Sequence, residues 1–199
     1  MPKSSEHDTT YEIAAHSIVK HKILEKYLGP WFFVLSKYDK TVQYIDCFAG
    51  SGEYENPGVR GSPIIALDSL TNHSLCRDML SRSTFNFVFI ESKKERATIL
   101  ENTIRSRNLP DSVKVTVITE IFQKVMEELY GTDDSPRYCN LCATFAFIDP
   151  FGYSHIPMKY VRRILETSKC EVMINLMVNN AKRNAFAGES LEKSLCLTS

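Results

Sequence analysis

Two carboxylates flank a glycine-rich turn early in the chain. Asp46 ends a β-branched and aromatic stretch that suits a half-buried strand. Gly50 and Gly52 follow, and Glu53 comes next. Glycine lacks a Cβ, so the turn can adopt positive φ and let a ligand lie against bare backbone. Because ligands of open α/β sheets bind at the carboxyl ends of strands, this turn predicts a ligand site.

The residues around the turn restrict the kind of ligand. A dinucleotide site uses G-x-G-x-x-G to hold a pyrophosphate, but only Gly50-Ser51-Gly52 is present. Carboxylates at Asp46 and Glu53 would repel a pyrophosphate and suit a ligand that carries an ammonium and a sulfonium. The turn therefore favours S-adenosylmethionine over NAD(P), and the missing P-loop lysine disfavours nucleotide hydrolysis. An ordinary βα turn with a solvated Asp46 is the alternative.

Acidic residues also follow the next two predicted strands. Glu91 can accept both hydroxyls of an adenosine ribose, although it would also serve as a helix-terminal neighbour of Lys93 or Lys94. Glu120 can reach an adenine edge, and a helix N-terminal acid explains it equally well. The predicted cofactor-binding residues are Asp46, Phe48, Gly50, Gly52, Glu91 and Glu120.

A second motif, Asp149-Pro150-Phe151-Gly152, follows the fourth predicted strand. The Asp149 carboxylate and the Pro150 carbonyl are both acceptors, and together they can hold a target amine by its N–H groups. Phe151 can stack on a planar substrate. Asp149, Pro150 and Phe151 are therefore the predicted catalytic residues, and they would place a nitrogen nucleophile in line with the methyl group. The alternative is a turn in which Asp149 caps the next helix.

Other reactive side chains give weaker signals. Cys139-x-x-Cys142 is a single pair without further ligands at suitable spacing, so no metal site is predicted. His16 and His21 fall on the first predicted helix, where surface or packing roles are favoured over a catalytic base. His155 is kept as a substrate contact.

Strands and helices must alternate to position these groups. The predicted strands cover residues 42–47, 85–90, 113–118, 142–148 and 171–177, with helices between them. This alternation predicts an α/β fold with a mostly parallel sheet and helices on both faces. A helical lead precedes it, with one helix at 11–28, a break at Gly29-Pro30 and a second helix at 31–37.

Composition gives broad limits. The chain has 199 residues, 43% hydrophobic and 24% charged, which fits one soluble domain with a helical appendage. Its formal net charge is zero, so charge does not indicate a nucleic-acid partner. No secretory signal is recognised and no apolar run is long enough for a bilayer. The six cysteines are therefore expected to be reduced thiols in a cytoplasmic protein.

The motifs together resemble the three-Cys-motif partner (TcmP) proteins. The resemblance rests on HKILEKYLGPW, YIDCFAGSGEY, GSP, FIE and FIDPFG, and it runs from about residue 20 to residue 180. It implies a Rossmann-like class I methyltransferase fold, a helical lead at 1–40 and an α/β domain at 41–199. It also implies cofactor roles for Asp46, Gly50, Gly52 and Glu91, and a radical-type three-Cys-motif protein as partner.

Two departures accompany the resemblance. Amino-methyltransferases often carry D/N-P-P-Y/F, whereas DPFG lacks the second proline. The methyltransferase sheet usually has seven strands and five are predicted, which leaves a truncated C-terminus open. A methyltransferase acting on nitrogen is the first functional expectation. A non-catalytic docking protein with the same fold is the alternative.

Overall fold

Five parallel strands form the centre of the molecule. The computed structural model describes residues 15–54, 58–130, 142–150 and 156–175. The sheet has the order β3-β2-β1-β4-β5, and every neighbouring pair is parallel. The strands are β1 (Thr41–Asp46), β2 (Thr84–Ile90), β3 (Val113–Ile118), β4 (Ala143–Ile148) and β5 (Cys170–Ile174). This order reverses between β1 and β4, so the sheet has a topological switch point there.

Helices cover both faces of the sheet, which confirms the predicted α/β, Rossmann-like fold class. One face packs against the first helices of the chain and the other against the last two. The helices are α1 (Ala15–Leu35), α2 (Ser62–Thr71), α3 (Cys76–Arg82), α4 (Lys94–Arg105), α5 (Phe122–Tyr130) and α6 (Met158–Glu166). Adjacent strand residues point to opposite faces, so Tyr44 joins one core and Ile45 joins the other.

The central strands are aromatic where they meet α1 and α2. Tyr44 of β1 pairs in register with Phe87 of β2 and Phe145 of β4. Its ring stacks on Phe145 at a centroid distance of 6.1 Å. Every residue of β4 is buried, as expected for a central strand with helices on both faces. This packing holds the carboxyl ends of β1 and β4 in place at the edge of the sheet.

The predicted break at Gly29-Pro30 is wrong, because α1 continues through both residues. Pro30 removes one backbone hydrogen bond, at a cost of about 3 kcal/mol. Burial of Trp31 and Phe32 beyond it contributes about 1.5–3 kcal/mol each and offsets that loss. Gly29 faces α2 closely, since a Cβ there would lie 3.3 Å from the His73 ring. Tertiary packing therefore overrides the local break signal.

The start of α2 differs from a simple capped helix. Gly61 occupies the N-cap position without a side-chain cap, and Ser62 is the first helical residue. The Ser62 side chain hydrogen bonds to Asp46 instead of capping the helix. The two-domain division at residue 40 remains a prediction, although Leu24 and Leu28 of α1 belong to the same core as the strands.

Candidate functional site at the carboxyl edge of the sheet

Asp46 is fully buried at the carboxyl end of β1. Its Oδ1 accepts a hydrogen bond from the Phe48 backbone N at 3.2 Å, and its Oδ2 accepts one from the Tyr44 hydroxyl at 3.4 Å. Burial raises the pKa of Asp46 to about 7, although the Ser62 and Phe48 hydrogen bonds oppose that shift. The carboxyl group therefore holds the start of the glycine turn, and burial favours its protonated form.

The two glycines of the turn have different surroundings. Both have positive φ, 64° at Gly50 and 80° at Gly52, which explains the residue type at each position. A Cβ on Gly52 would lie 2.7 Å from Leu100 Cδ1, so that glycine is packed against α4. A Cβ on Gly50 would meet nothing within 4 Å. Only Gly50 faces space that a ligand can enter.

Glu91 connects the turn after β1 with the turn after β2. Its Oε2 accepts a hydrogen bond from the Gly50 backbone N at 2.9 Å, and its Oε1 accepts one from the Lys93 backbone N at 2.7 Å. The residue is buried, yet it borders a cavity. The carboxylate is therefore held in one orientation by two backbone donors, one from each turn.

A cavity of about 280 Å³ lies beside the carboxyl ends of β1, β2 and β3. Phe48 and Phe122 form an aromatic wall, with ring centroids 5.6 Å apart. Polar and charged side chains of both signs contribute to the lining, among them the acids Glu91 and Glu120. The volume of the cavity is close to the lower limit for small-molecule sites. Apolar walls with a few fixed polar groups are also typical of such sites. The remaining lining residues are Cys47, Ile90, Ser92, Lys93, Arg96, Ile121 and Gln123.

Glu120 has the contacts of a helix N-terminal acid. One oxygen accepts a hydrogen bond from the Ile121 backbone N at 2.9 Å, and the other pairs with Lys124 one turn along. The hydrogen bond from Lys124 lowers the pKa of Glu120, and the Ile121 amide adds to that shift. Glu120 therefore remains ionised at the cavity rim, where it is also available to a bound base.

Asp149 lies at the end of β4, on the other side of β1 from the cavity. Its Oδ2 accepts from the Lys20 ammonium of α1, and both side chains are only about one-tenth exposed, at 10% and 11%. Its Oδ1 accepts from Asn175 Nδ2 at 2.7 Å, directly after β5. Pro150 is buried beside it. Phe151 and His155 lie outside the described residues.

Sequence reasoning missed the contribution of α1 to this end of the site. Lys20 shares a helical face with Leu24, Leu28 and Trp31, and that spacing is the signal that would have identified it as inward-facing. A lysine on a buried face needs a partner, and Asp149 supplies one. No sequence pattern identified Asn175, because the residues after the fifth strand do not indicate that its side chain contacts Asp149.

His21 and Tyr54 lie near Asp149, at the same end of the site. The ring centroids lie 5.8 Å apart, and His21 is buried. Burial lowers the pKa of His21 to about 4, and the Lys20 charge adds to that effect. Burial also raises the pKa of Tyr54 to about 12, with smaller contributions from Asp149 and Asp46. Both side chains are therefore neutral at pH 7.

Within the part of the chain that the structure describes, no group of three or more His, Cys, Asp or Glu side chains could hold a metal ion. Cys142 has no disulfide, and Cys139 lies outside that part. No described helix combines the length and apolar character that crossing a membrane requires.

Comparisons with known proteins give weak likenesses. No protein-family model and no curated protein matches this chain. The chain is similar to a conserved hypothetical protein from Streptococcus pyogenes, at 16% identity and a TM-score of 0.39, over 74% of this chain and 78% of that one. It is also similar to the SAH-bound methyltransferase PaMTH1 of Podospora anserina, at 13% identity and a TM-score of 0.38, over 81% of this chain.

The chain spans 60% of the length of that methyltransferase. Both TM-scores are low, so the fold class depends on the strand order of the chain itself. That order and the cavity define a Rossmann-like α/β protein with a candidate ligand site at the carboxyl edge of its sheet.

Proposed function

We propose that the protein binds S-adenosylmethionine at the carboxyl edge and transfers its methyl group to a nitrogen nucleophile. The observation that carries this proposal is Glu91, a buried carboxylate held by the Gly50 amide at the wall of the cavity. A carboxylate fixed in this way can accept the two hydroxyls of a ribose. We place the adenosine half of the cofactor in the cavity, between the aromatic wall and Glu120.

The rest of the cofactor would extend from the cavity past Gly50 towards the switch point between β1 and β4. Open space at Gly50 supports this path, because a ligand there would contact backbone without displacing a side chain. We place the ammonium and sulfonium groups of the cofactor at this end, near the carboxyl groups of Asp46 and Asp149. The preference for this cofactor over a dinucleotide rests on the glycine turn, which lacks the third glycine of G-x-G-x-x-G.

Asp149 is the group proposed to hold the nucleophilic nitrogen. It lies at the end of β4, it is largely buried, and it already accepts hydrogen bonds from a nitrogen on each oxygen. A carboxylate with this environment orients an amine strongly, because charge-assisted hydrogen bonds are stronger where water is excluded. The proposed roles of Pro150 and Phe151 are to shape the substrate side of the same turn.

Calorimetry with S-adenosylhomocysteine tests the cofactor proposal. We expect wild-type protein to bind it and Glu91→Gln to bind it roughly 10–150-fold more weakly, the equivalent of about 1.5–3 kcal/mol for a hydrogen bond to a charged group. Glu101→Gln is the matched control on the solvent side of α4, where the acid pairs with Arg105 and does not line the cavity. NAD⁺ should give no heat.

Equal affinity in wild type and Glu91→Gln would contradict the ribose role of Glu91. Absence of binding in wild type would contradict the cofactor proposal itself. Heat from NAD⁺ with none from S-adenosylhomocysteine would favour an oxidoreductase.

A docking role is the second candidate, and the outer face of α1 favours it. Val19, Ile23, Tyr27 and Val34 recur at helical spacing, and each is about half exposed, from 45% to 58%. Apolar side chains in such a row are a common feature of protein interaction sites. This surface is compatible with the three-Cys-motif partner resemblance. Cofactor binding without methyl transfer to protein, RNA or DNA would favour docking over catalysis.

A further inference from the structure

Three lysines lie within two turns of α1, and their environments differ. Lys22 and Lys26 are exposed, whereas Lys20 is buried. The Lys20 ammonium reaches across from α1 to Asp149, a residue 129 positions away in sequence. Lys20 is therefore buried because the tertiary structure places it against Asp149, and not because this end of α1 is buried as a whole.

The Lys20 nitrogen lies where the proposed function needs its nucleophile. Asp149 is the carboxylate assigned to hold the target nitrogen, and Lys20 donates to its Oδ2 while Asn175 donates to its Oδ1. The nearby His21 is neutral at pH 7, so it supplies no competing cation. The chain itself thus shows which chemical group this carboxylate accepts, namely a primary amine on an unbranched alkyl chain.

We propose that Lys20 is a methylation site of the protein and that the chain methylates it in cis. This inference rests on the proposed function, since S-adenosylmethionine must be the methyl donor.

The reaction balances with groups on the page and the named donor. The Lys20 ammonium passes one proton to the Asp149 carboxylate along their hydrogen bond, which leaves a neutral amine. The lone pair of that nitrogen forms the N–C bond, and the S–C bond breaks with its electron pair moving to sulfur. The products are a secondary ammonium on Lys20 and S-adenosylhomocysteine. Asp149 then returns its proton to solvent.

Mass spectrometry of the full chain provides the test. Purified protein is incubated with S-adenosylmethionine that carries a deuterated methyl group, and fragment spectra locate the label. We expect the label on Lys20 and not on Lys22 or Lys26. The fraction labelled per unit time should not change on dilution, because the reaction is intramolecular.

Three variants sharpen the test. Asp149→Asn should slow labelling at least about 100-fold, since positioned proton acceptors contribute roughly that factor. Its binding of S-adenosylhomocysteine, measured in parallel, shows whether the cofactor site is intact. Lys20→Arg should remove the label from this position. Lys22→Arg, at an exposed neighbour, should label Lys20 at the wild-type rate.

The possible outcomes separate the two proposals. If S-adenosylhomocysteine binds and Lys20 stays unlabelled, the methylation site is overturned and the cofactor proposal stands. Equal labelling of all three lysines would also overturn it, because the exposed pair reacts without Asp149. If no cofactor binds, the proposed function fails and this inference fails with it.

Discussion

The carboxylates in the two halves of the carboxyl edge accept hydrogen bonds from different kinds of donor. On the β2–β3 side, Glu91 accepts from backbone amides and borders a cavity. On the β4–β5 side, Asp149 accepts from the side chains of Lys20 and Asn175, and α1 covers it. The first carboxylate is held by backbone donors beside a cavity, whereas the second is held by side-chain donors from α1 and from the residue after β5.

Under the proposed function, the Glu91 half binds the cofactor and the Asp149 half holds the nucleophile. Backbone donors stay in place when a ligand arrives, so the Glu91 carboxylate is preorganised. The Asp149 half depends instead on a buried ion pair with a side chain of α1. The largest effects on stability should therefore come from the covered half.

Lys20→Met should have the largest effect on stability. Removing the cation leaves Asp149 buried without its charged partner, and breaking a buried pair costs about 3–5 kcal/mol. Urea unfolding measures the loss. Arg162→Gln, which breaks the exposed pair with Glu166, is the control and should change stability by at most about 0.5 kcal/mol.

A double variant then tests the cause. Lys20→Met with Asp149→Leu should recover much of the lost stability, because an apolar pair can replace a buried ion pair at little cost. If the double variant is as unstable as Lys20→Met alone, the unpaired carboxylate is not the source of the loss.

The pH dependence of stability should show two opposing slopes from this edge. Asp46 has a pKa of about 7 in the folded chain against 3.8 in its ordinary state, so the folded state holds the extra proton. The contribution of Asp46 to the free energy of unfolding therefore falls as pH rises from about 4 to 7. His21 has a pKa of about 4 against 6.5, so the unfolded state holds the extra proton and its contribution rises with pH over about 4 to 6.5.

Single variants separate these slopes in urea unfolding across that range. Asp46→Asn should make stability rise more steeply with pH than in wild type, and His21→Gln should make it fall more steeply. At about 1.4 kcal/mol per pKa unit, the full window corresponds to roughly 4.5 kcal/mol for Asp46 and roughly 3.5 kcal/mol for His21. Parallel pH profiles in wild type and both variants would contradict the shifted pKa values.

The two glycines give a direct comparison of a packed position with an open one. Gly52→Ala should cost about 2–5 kcal/mol in urea unfolding, because positive φ and the contact with Leu100 add. Gly50→Ala should cost only about 1–2 kcal/mol, from backbone strain alone. It should nevertheless weaken S-adenosylhomocysteine binding, since its Cβ enters the open space. Equal losses of stability would contradict the different surroundings of the two glycines.

Much of the fold could be predicted from local pattern. Strand–helix alternation is set by short-range periodicity, and it located all five strands and placed Asp46, Glu91 and Asp149 at strand ends. Parallel strands bring those ends to one edge by geometry alone. The break at Gly29-Pro30 failed for the opposite reason, because packing of Trp31 and Phe32 against distant strands outweighs a local signal.

The sequence by itself determined the fold class and the edge on which the acidic groups lie, since both follow from periodicity and chain direction. Only the tertiary structure decided what each carboxylate contacts. Glu91 reaches the Gly50 amide, and Lys20 reaches Asp149 across 129 residues. Such pairs depend on how α1 and the turns pack over the sheet, and that packing is the sum of many distant contacts that no local stretch encodes.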